Sequence, residues 1–201
     1  MRRIESSFGG CAGIMAAAAS IEITRRAMTG IATIRPGYHG AQEQMMKGNE
    51  EVIAELNAAL SSELMAIMQY MVHAEMLTNW GYQRYGGLIK KQAIDEMKHA
   101  EGLIERILYL DGVPNVHITL DPKIGNDVKA QIENDLAAEM EAVAQYNNAV
   151  KVCVEAGDNG TREIFERMTI DEEQHVDFLE AQLDMIKQMG LPNYLAQQMK
   201  A

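Results

Sequence analysis

A chain of 201 residues, 47% apolar and 23% charged, holds enough material for one ordinary domain, and its balance excludes global disorder. A formal charge of −11 excludes a protein that wraps nucleic acid, which needs a basic face. No apolar run approaches the roughly 20 residues of a membrane span.

Four prolines, three phenylalanines and fifteen methionines make poor strand material and good helix material, so the fold class is all-α. Cys11 and Cys153 stand 142 residues apart and form neither a disulfide framework nor a CxxC zinc site. Such sparse thiols fit a reducing, cytoplasmic compartment. An acidic chain suits cations, as ligands or as a field that concentrates them.

The chain changes character near Met45-Met46. Residues 1–45 carry five Arg and three Glu, a net of +2, which leaves −13 for residues 46–201. The Ile14 to Ala19 stretch is too short and too rich in alanine for a secretory signal. A transit peptide is a second reading. The plainer one is a poorly ordered N-terminal extension, or a start placed too early with Met45 or Met46 as the true one. Fold reasoning therefore begins at residue 46.

From there the pattern is helical. Val52, Leu56, Leu60, Ile67 and Tyr70 recur at helical spacing, and the segment stops at Trp80-Gly81. A second helix runs from about Tyr85 to Leu110, with Ile89, Leu103 and Ile107 on its stripe, and Asp111-Gly112 ends it. Pro114 and Pro122 keep the next stretch extended. A third helix runs from about Gly125 to Ala156 and ends at Gly157. Asp158 or Thr161 caps a fourth, which reaches Met189-Gly190, and a short fifth follows Pro192. Short links join helices one to two and three to four, while about fifteen aperiodic residues separate two from three. Two hairpins joined by a long crossover make a four-helix bundle.

Each long helix carries a glutamate on its apolar face. Glu63 has Leu56, Leu60, Ile67 and Tyr70 at helical offsets; Glu96 has Ile89, Ala93, Ala100 and Leu103; Glu139 has Ile132, Leu136, Val143 and Tyr146; Glu172 has Phe165, Met168, Val176 and Leu179. A buried carboxylate is costly unless it is paired or binds a metal. Two of the four open a Glu-x-x-His: Glu96 with His99, and Glu172 with His175. Both side chains of each pair project from one face, one turn apart, and can reach one ion. A single Glu-x-x-His carries no weight. The spacing does: Glu63 to Glu96 and Glu139 to Glu172 are both 33 residues, and the two halves repeat at 76. Four carboxylates match the charge of two divalent cations, and mixed oxygen and imidazole donors suit iron or manganese, with zinc also admitted. His73 and His117 read as surface or capping histidines.

These residues resemble the bacterioferritin family, the haem-containing branch of the ferritin-like bundles, along essentially all of 46–201. The stretches that carry the likeness include Glu63-Leu64, Gln69-Tyr70, Asn79-Trp80-Gly81, Asp95-Glu96-Met97-Lys98-His99, Asp171-Glu172-Glu173 with His175, and Asn193-Tyr194-Leu195. The resemblance implies a ferritin-like four-helix bundle with a long crossover and a short fifth helix. It implies an iron-storage ferroxidase: Glu63, Glu96, His99, Glu139, Glu172 and His175 hold a di-iron centre, with Glu96 and Glu172 bridging. Fe(II) is oxidised there by O2 or hydrogen peroxide and stored as mineral in a homo-oligomeric shell of 24 subunits built from dimers. Tyr70, one turn from Glu63, hydrogen-bonds a ligand or supplies an electron. Met97 lies about 100° around the helix from Glu96, and the matching residue of the family ligates a haem b shared between two subunits. A bacterioferritin-associated ferredoxin is the implied electron donor. Two positions depart from the family: Lys91 stands where some members carry a His, and Phe178 where some carry a Trp. The alternatives are another di-metal carboxylate enzyme, such as a rubrerythrin-like peroxidase or a manganese catalase, and a non-enzymatic haem-binding shell subunit.

Overall fold

The computed structural model describes residues 47–199. The extension assigned to residues 1–45 lies outside the described residues. Five helices follow one another: α1 Glu50–Asn79, α2 Gln83–Tyr109, α3 Val128–Ala156, α4 Asn159–Met189 and the short α5 Leu191–Gln198. None of the described helices is long and apolar enough to cross a membrane. At about 1.5 Å of rise per residue, each of the first four is roughly 40 to 45 Å long.

Local chemistry explains the ends. Asn49 accepts from the Glu51 and Val52 amides, and Glu50 and Glu51 sit at the positive end of the α1 dipole. Asp158 caps α4 by accepting from the Thr161 amide at 3.0 Å. The third helix begins later than the periodicity suggests, because Asp127 takes the cap by accepting from the Ala130 amide. Gly125 and Asn126 belong to the crossover instead. The two hairpin turns pass through Gly81 and Gly157, at φ +91° and +70°, where a side chain would be strained. The same 76-residue interval relates these two glycines.

The core comes in two apolar clusters. One gathers Val52, Leu56, Leu60, Leu103, Ile107, Tyr146 and Phe165. The other gathers Tyr70, Leu77, Tyr85, Ile89, Ile132, Leu179 and Tyr194, so that α5 closes its open end. Phe178 stacks on Tyr85 there, with ring centres 6.3 Å apart. In chain position, each inward glutamate falls between the two clusters on its own helix.

The crossover, residues 110–127, is strapped to α1 by side chains on one helical stripe. Asn57 accepts from the Asn115 amide, Ser61 from Thr119, Gln69 from Lys123, and His73 Nε2 from Gly125 at 3.1 Å. His73 is therefore not a surface residue. It is fully buried, and accepting at Nε2 leaves its proton on Nδ1, which faces Asp135 Oδ1 at 2.9 Å. Gln69 donates to the same Asp135 oxygen at 2.8 Å. Burial pushes the Asp135 carboxyl up, and the His73 and Gln69 contacts oppose that rise.

His73→Leu removes one anchor and strips a buried carboxyl of a partner. It is expected to destabilise the subunit by about 2 to 3 kcal/mol in urea unfolding. A change below about 0.5 kcal/mol, the usual range of surface substitutions, would contradict this role.

Candidate metal centre

Glu63 on α1, Glu96 on α2, Glu139 on α3 and Glu172 on α4 are each between 1 and 3% exposed. Helical spacing puts them inward, since apolar neighbours one and two turns away carry that face into the core. His99 and His175 lie one turn beyond Glu96 and Glu172 and bring Nδ1 into the same space. His99 Nδ1 lies 3.0 Å from Glu96 Oε2, 3.1 Å from Glu172 Oε1 and 3.7 Å from Glu63 Oε2. His175 Nδ1 lies 3.0 Å from Glu172 Oε2, 3.1 Å from Glu96 Oε1 and 3.4 Å from Glu139 Oε1.

The six thus fall into two overlapping groups, Glu63–Glu96–His99–Glu172 and Glu96–Glu139–Glu172–His175. Within each group one donor atom per residue lies within 4.8 Å of every other. Glu96 and Glu172 belong to both, turning one oxygen to each histidine. Glu63 and Glu139 each belong to one.

Several of these atoms are close without being bonded. Glu96 Oε1, both Glu172 oxygens and His175 Nδ1 are buried with no hydrogen-bond partner. Lone pairs converge on shared points instead of meeting donors, which is how ligands surround a cation. Hard carboxylate oxygens with one imidazole per group fit a divalent first-row metal.

The electrostatics point the same way. Burial raises the carboxyls of Glu63 and Glu139, the second to about 8. Burial acts on Glu96 too, but the His175 and His99 imidazoles beside it hold it down at about 2. Burial alone lowers the imidazoles. The carboxylates around them reverse that, driving His175 up to about 12 and His99 far up as well. Protons gather where the site calls for positive charge.

Two tyrosines close the cluster reciprocally. Tyr70 of α1 donates its hydroxyl to Glu139 Oε1 of α3, and Tyr146 of α3 donates to Glu63 Oε1 of α1. Both are fully buried, and burial, followed by the neighbouring carboxylate, pushes both phenols up. Tyr70 bonds Glu139 across the bundle, not Glu63 two turns away on its own helix. Tyr146 did not stand out from its sequence surroundings as a site residue, although the 76-residue repeat relates it to Tyr70.

A cavity of about 270 Å³ reaches the carboxylates between α1 and α3, beneath Thr119 and Leu120 of the crossover. Ser62 donates to Gln145 at 2.8 Å across its wall. Met97 points out of the bundle and is 54% exposed; Met68, Met71 and Ile94 are exposed too. Lys91 is exposed, and Asp95 pairs with Lys98.

A crossover bundle with a buried carboxylate–imidazole cluster at mid-height defines the ferritin-like class, and the family model for the ferritin-like domain matches residues 53–189. A bacterioferritin of Mycolicibacterium paratuberculosis is 41% identical over 152 residues, 76% of this chain and 96% of that protein. Bacterioferritins of Brucella melitensis, 40% identical over 74% of this chain and 92% of its own, and of Rhodobacter capsulatus, 44% identical over 72% and 90%, are similar too. The chain belongs to the bacterioferritin family of iron-storage proteins.

A divalent cation entering this cluster must displace the protons held by the imidazoles and by Glu139. Below about pH 8 those protons compete with it, so affinity rises with pH. Between pH 6 and 7 the apparent affinity for Zn(II) is expected to rise about tenfold for each proton displaced. Calorimetry in two buffers of different ionisation enthalpy measures that release, and proton-neutral binding would contradict it.

Proposed function

We propose that this chain is the ferroxidase subunit of an iron-storage shell, oxidising Fe(II) to Fe(III) at the intrasubunit cluster and passing it to a mineral inside a 24-subunit assembly. The observation that carries the reading is the sharing of Glu96 and Glu172 between two donor groups. In this reading the two bridge, while Glu63 with His99 and Glu139 with His175 are terminal ligands. Two Fe(II) substrate ions held side by side give up one electron each, enough to reduce O2 to hydrogen peroxide or hydrogen peroxide to water. Tyr70 holds the Glu139 carboxylate in place and is a phenol able to supply a further electron; Tyr146 holds Glu63. The net charge of −13 over residues 46–201 draws cations toward the shell.

Haem b belongs to the same reading. A thioether is a competent axial ligand of haem iron, and an exposed Met97 offers one per chain. Two chains meeting on this face complete the pair, which makes the shell one of dimers. Bound there, the haem supplies a route for electrons from a ferredoxin to the mineral. A cytoplasmic location suits a reducing partner of that kind. Residues 46–201 form the storage domain and residues 1–45 an extension outside it; the reach of the family match and of the relatives supports that division.

Replacing both shared carboxylates, Glu96→Ala with Glu172→Ala, is expected to bring fast Fe(II) oxidation in stopped-flow down to the rate in buffer alone. Helix content and assembled mass should hold, since Glu96 and Glu172 repel the other two buried carboxylates and their removal relieves that repulsion. Oxidation at the wild-type rate would remove the site assignment. Met97→Leu is expected to lose the haem absorbance and keep iron oxidation; a full haem complement in that variant would refute the ligand.

A further inference from the structure

The two halves of the centre match residue for residue in the inner ligands, yet differ just outside them. Asp95, Glu96, Lys98 and His99 on α2 correspond at the 76-residue interval to Asp171, Glu172, Gln174 and His175 on α4. One of these four pairs differs in charge: Lys98 against Gln174. The two aspartates differ in their partners accordingly.

Asp95 Oδ1 is taken by Lys98 Nζ, one turn along its own helix, at 2.6 Å. Asp171 has a neutral glutamine at that place. Its Oδ2 lies instead across the helix interface, 3.4 Å from His99 Nε2. Among the described residues, His99 thus meets carboxylates at both ring nitrogens, and every carboxylate contact of His175 is made through Nδ1.

A carboxylate at the outer nitrogen of a ligating imidazole keeps the proton on that nitrogen. The lone pair of the other is then free for the cation, and the ring becomes a stronger donor. At 3.4 Å the contact acts through charge more than through a tight hydrogen bond. We propose that Asp171 is a positioning residue that makes the His99 half of the centre the tighter cation site, and that Lys98 withholds the equivalent help from the His175 half. Asp171 touches no reacting atom and acts through His99. The proposal rests on reading the six inner residues as a two-cation centre.

Cobalt(II), titrated without oxygen into the assembled iron-free protein, tests both together. Its visible absorption reports ligand geometry, and calorimetry reports each step. Two ions per subunit are expected, in two steps about tenfold apart, within the range that outer partners of ligating histidines contribute. Asp171→Asn should weaken the first step about tenfold and merge it with the second, leaving the count unchanged. Lys98→Gln, which installs the residue type found at 174, should tighten the second step, a gain that damaged folding does not produce. Lys91→Gln makes the same charge change on an exposed part of α2 and should move neither step. Unchanged steps in Asp171→Asn, no gain in Lys98→Gln, or an equal gain in Lys91→Gln would each overturn the proposal. A wild-type protein that takes fewer than two cobalt ions would instead sink the two-cation reading itself, and the proposal with it.

Discussion

Four carboxylates meet in the middle of an apolar bundle, and the rest of the structure is arranged around that fact. Taking one such charge from water costs several kcal/mol, and placing four together multiplies the penalty by mutual repulsion. The fold answers with two imidazoles and two tyrosine hydroxyls, drawn from the same four helices. What those donors leave unmet is the set of unpartnered oxygens on Glu96 and Glu172, an arrangement that suits cation ligands. The apolar core is consequently two clusters along each helix, one on either side of the charged layer.

Such a layer keeps its arrangement only if its helices are held still, and α1 shows how one helix serves that end twice. Its inner face carries Glu63 and Tyr70. A second stripe, Asn57, Ser61, Gln69 and His73, meets the backbone of the crossover. The crossover has no periodicity of its own and needs those contacts to satisfy its amides as it runs the length of the bundle. Thr119 and Leu120 then lie over the cavity that leads to the carboxylates, so the strap on α1 also shapes the approach to the centre.

The internal repeat explains why the centre is nearly symmetric. Each hairpin supplies one unshared glutamate, one shared glutamate and one histidine, and each supplies a tyrosine to the other's unshared glutamate. Symmetry ends at the outer nitrogens of the histidines, where one lysine on α2 has no counterpart on α4. The two halves thus share inner residues of one kind and differ in what stands behind them.

Helical periodicity, caps and breakers were enough to place the helices, to separate two hairpins from a crossover, and to single out four inward glutamates and two histidines. Each of those signals is local, carried by side chains one or two turns apart on a single helix. The departures arose where the decisive partner was remote. Asp127, not Gly125, opens α3, because the Gly125 amide is engaged by His73 from another helix. His73 read as a surface or capping residue because nothing in its neighbourhood announced Asp135 or a loop amide. Tyr70 was expected to hydrogen-bond a ligand, but which one, Glu139, and the reach of Asp171 to His99 were set by helix packing and not by chain distance. Spacing along one helix is written in the amino-acid order, whereas the pairing of atoms across helices exists only once the bundle has closed.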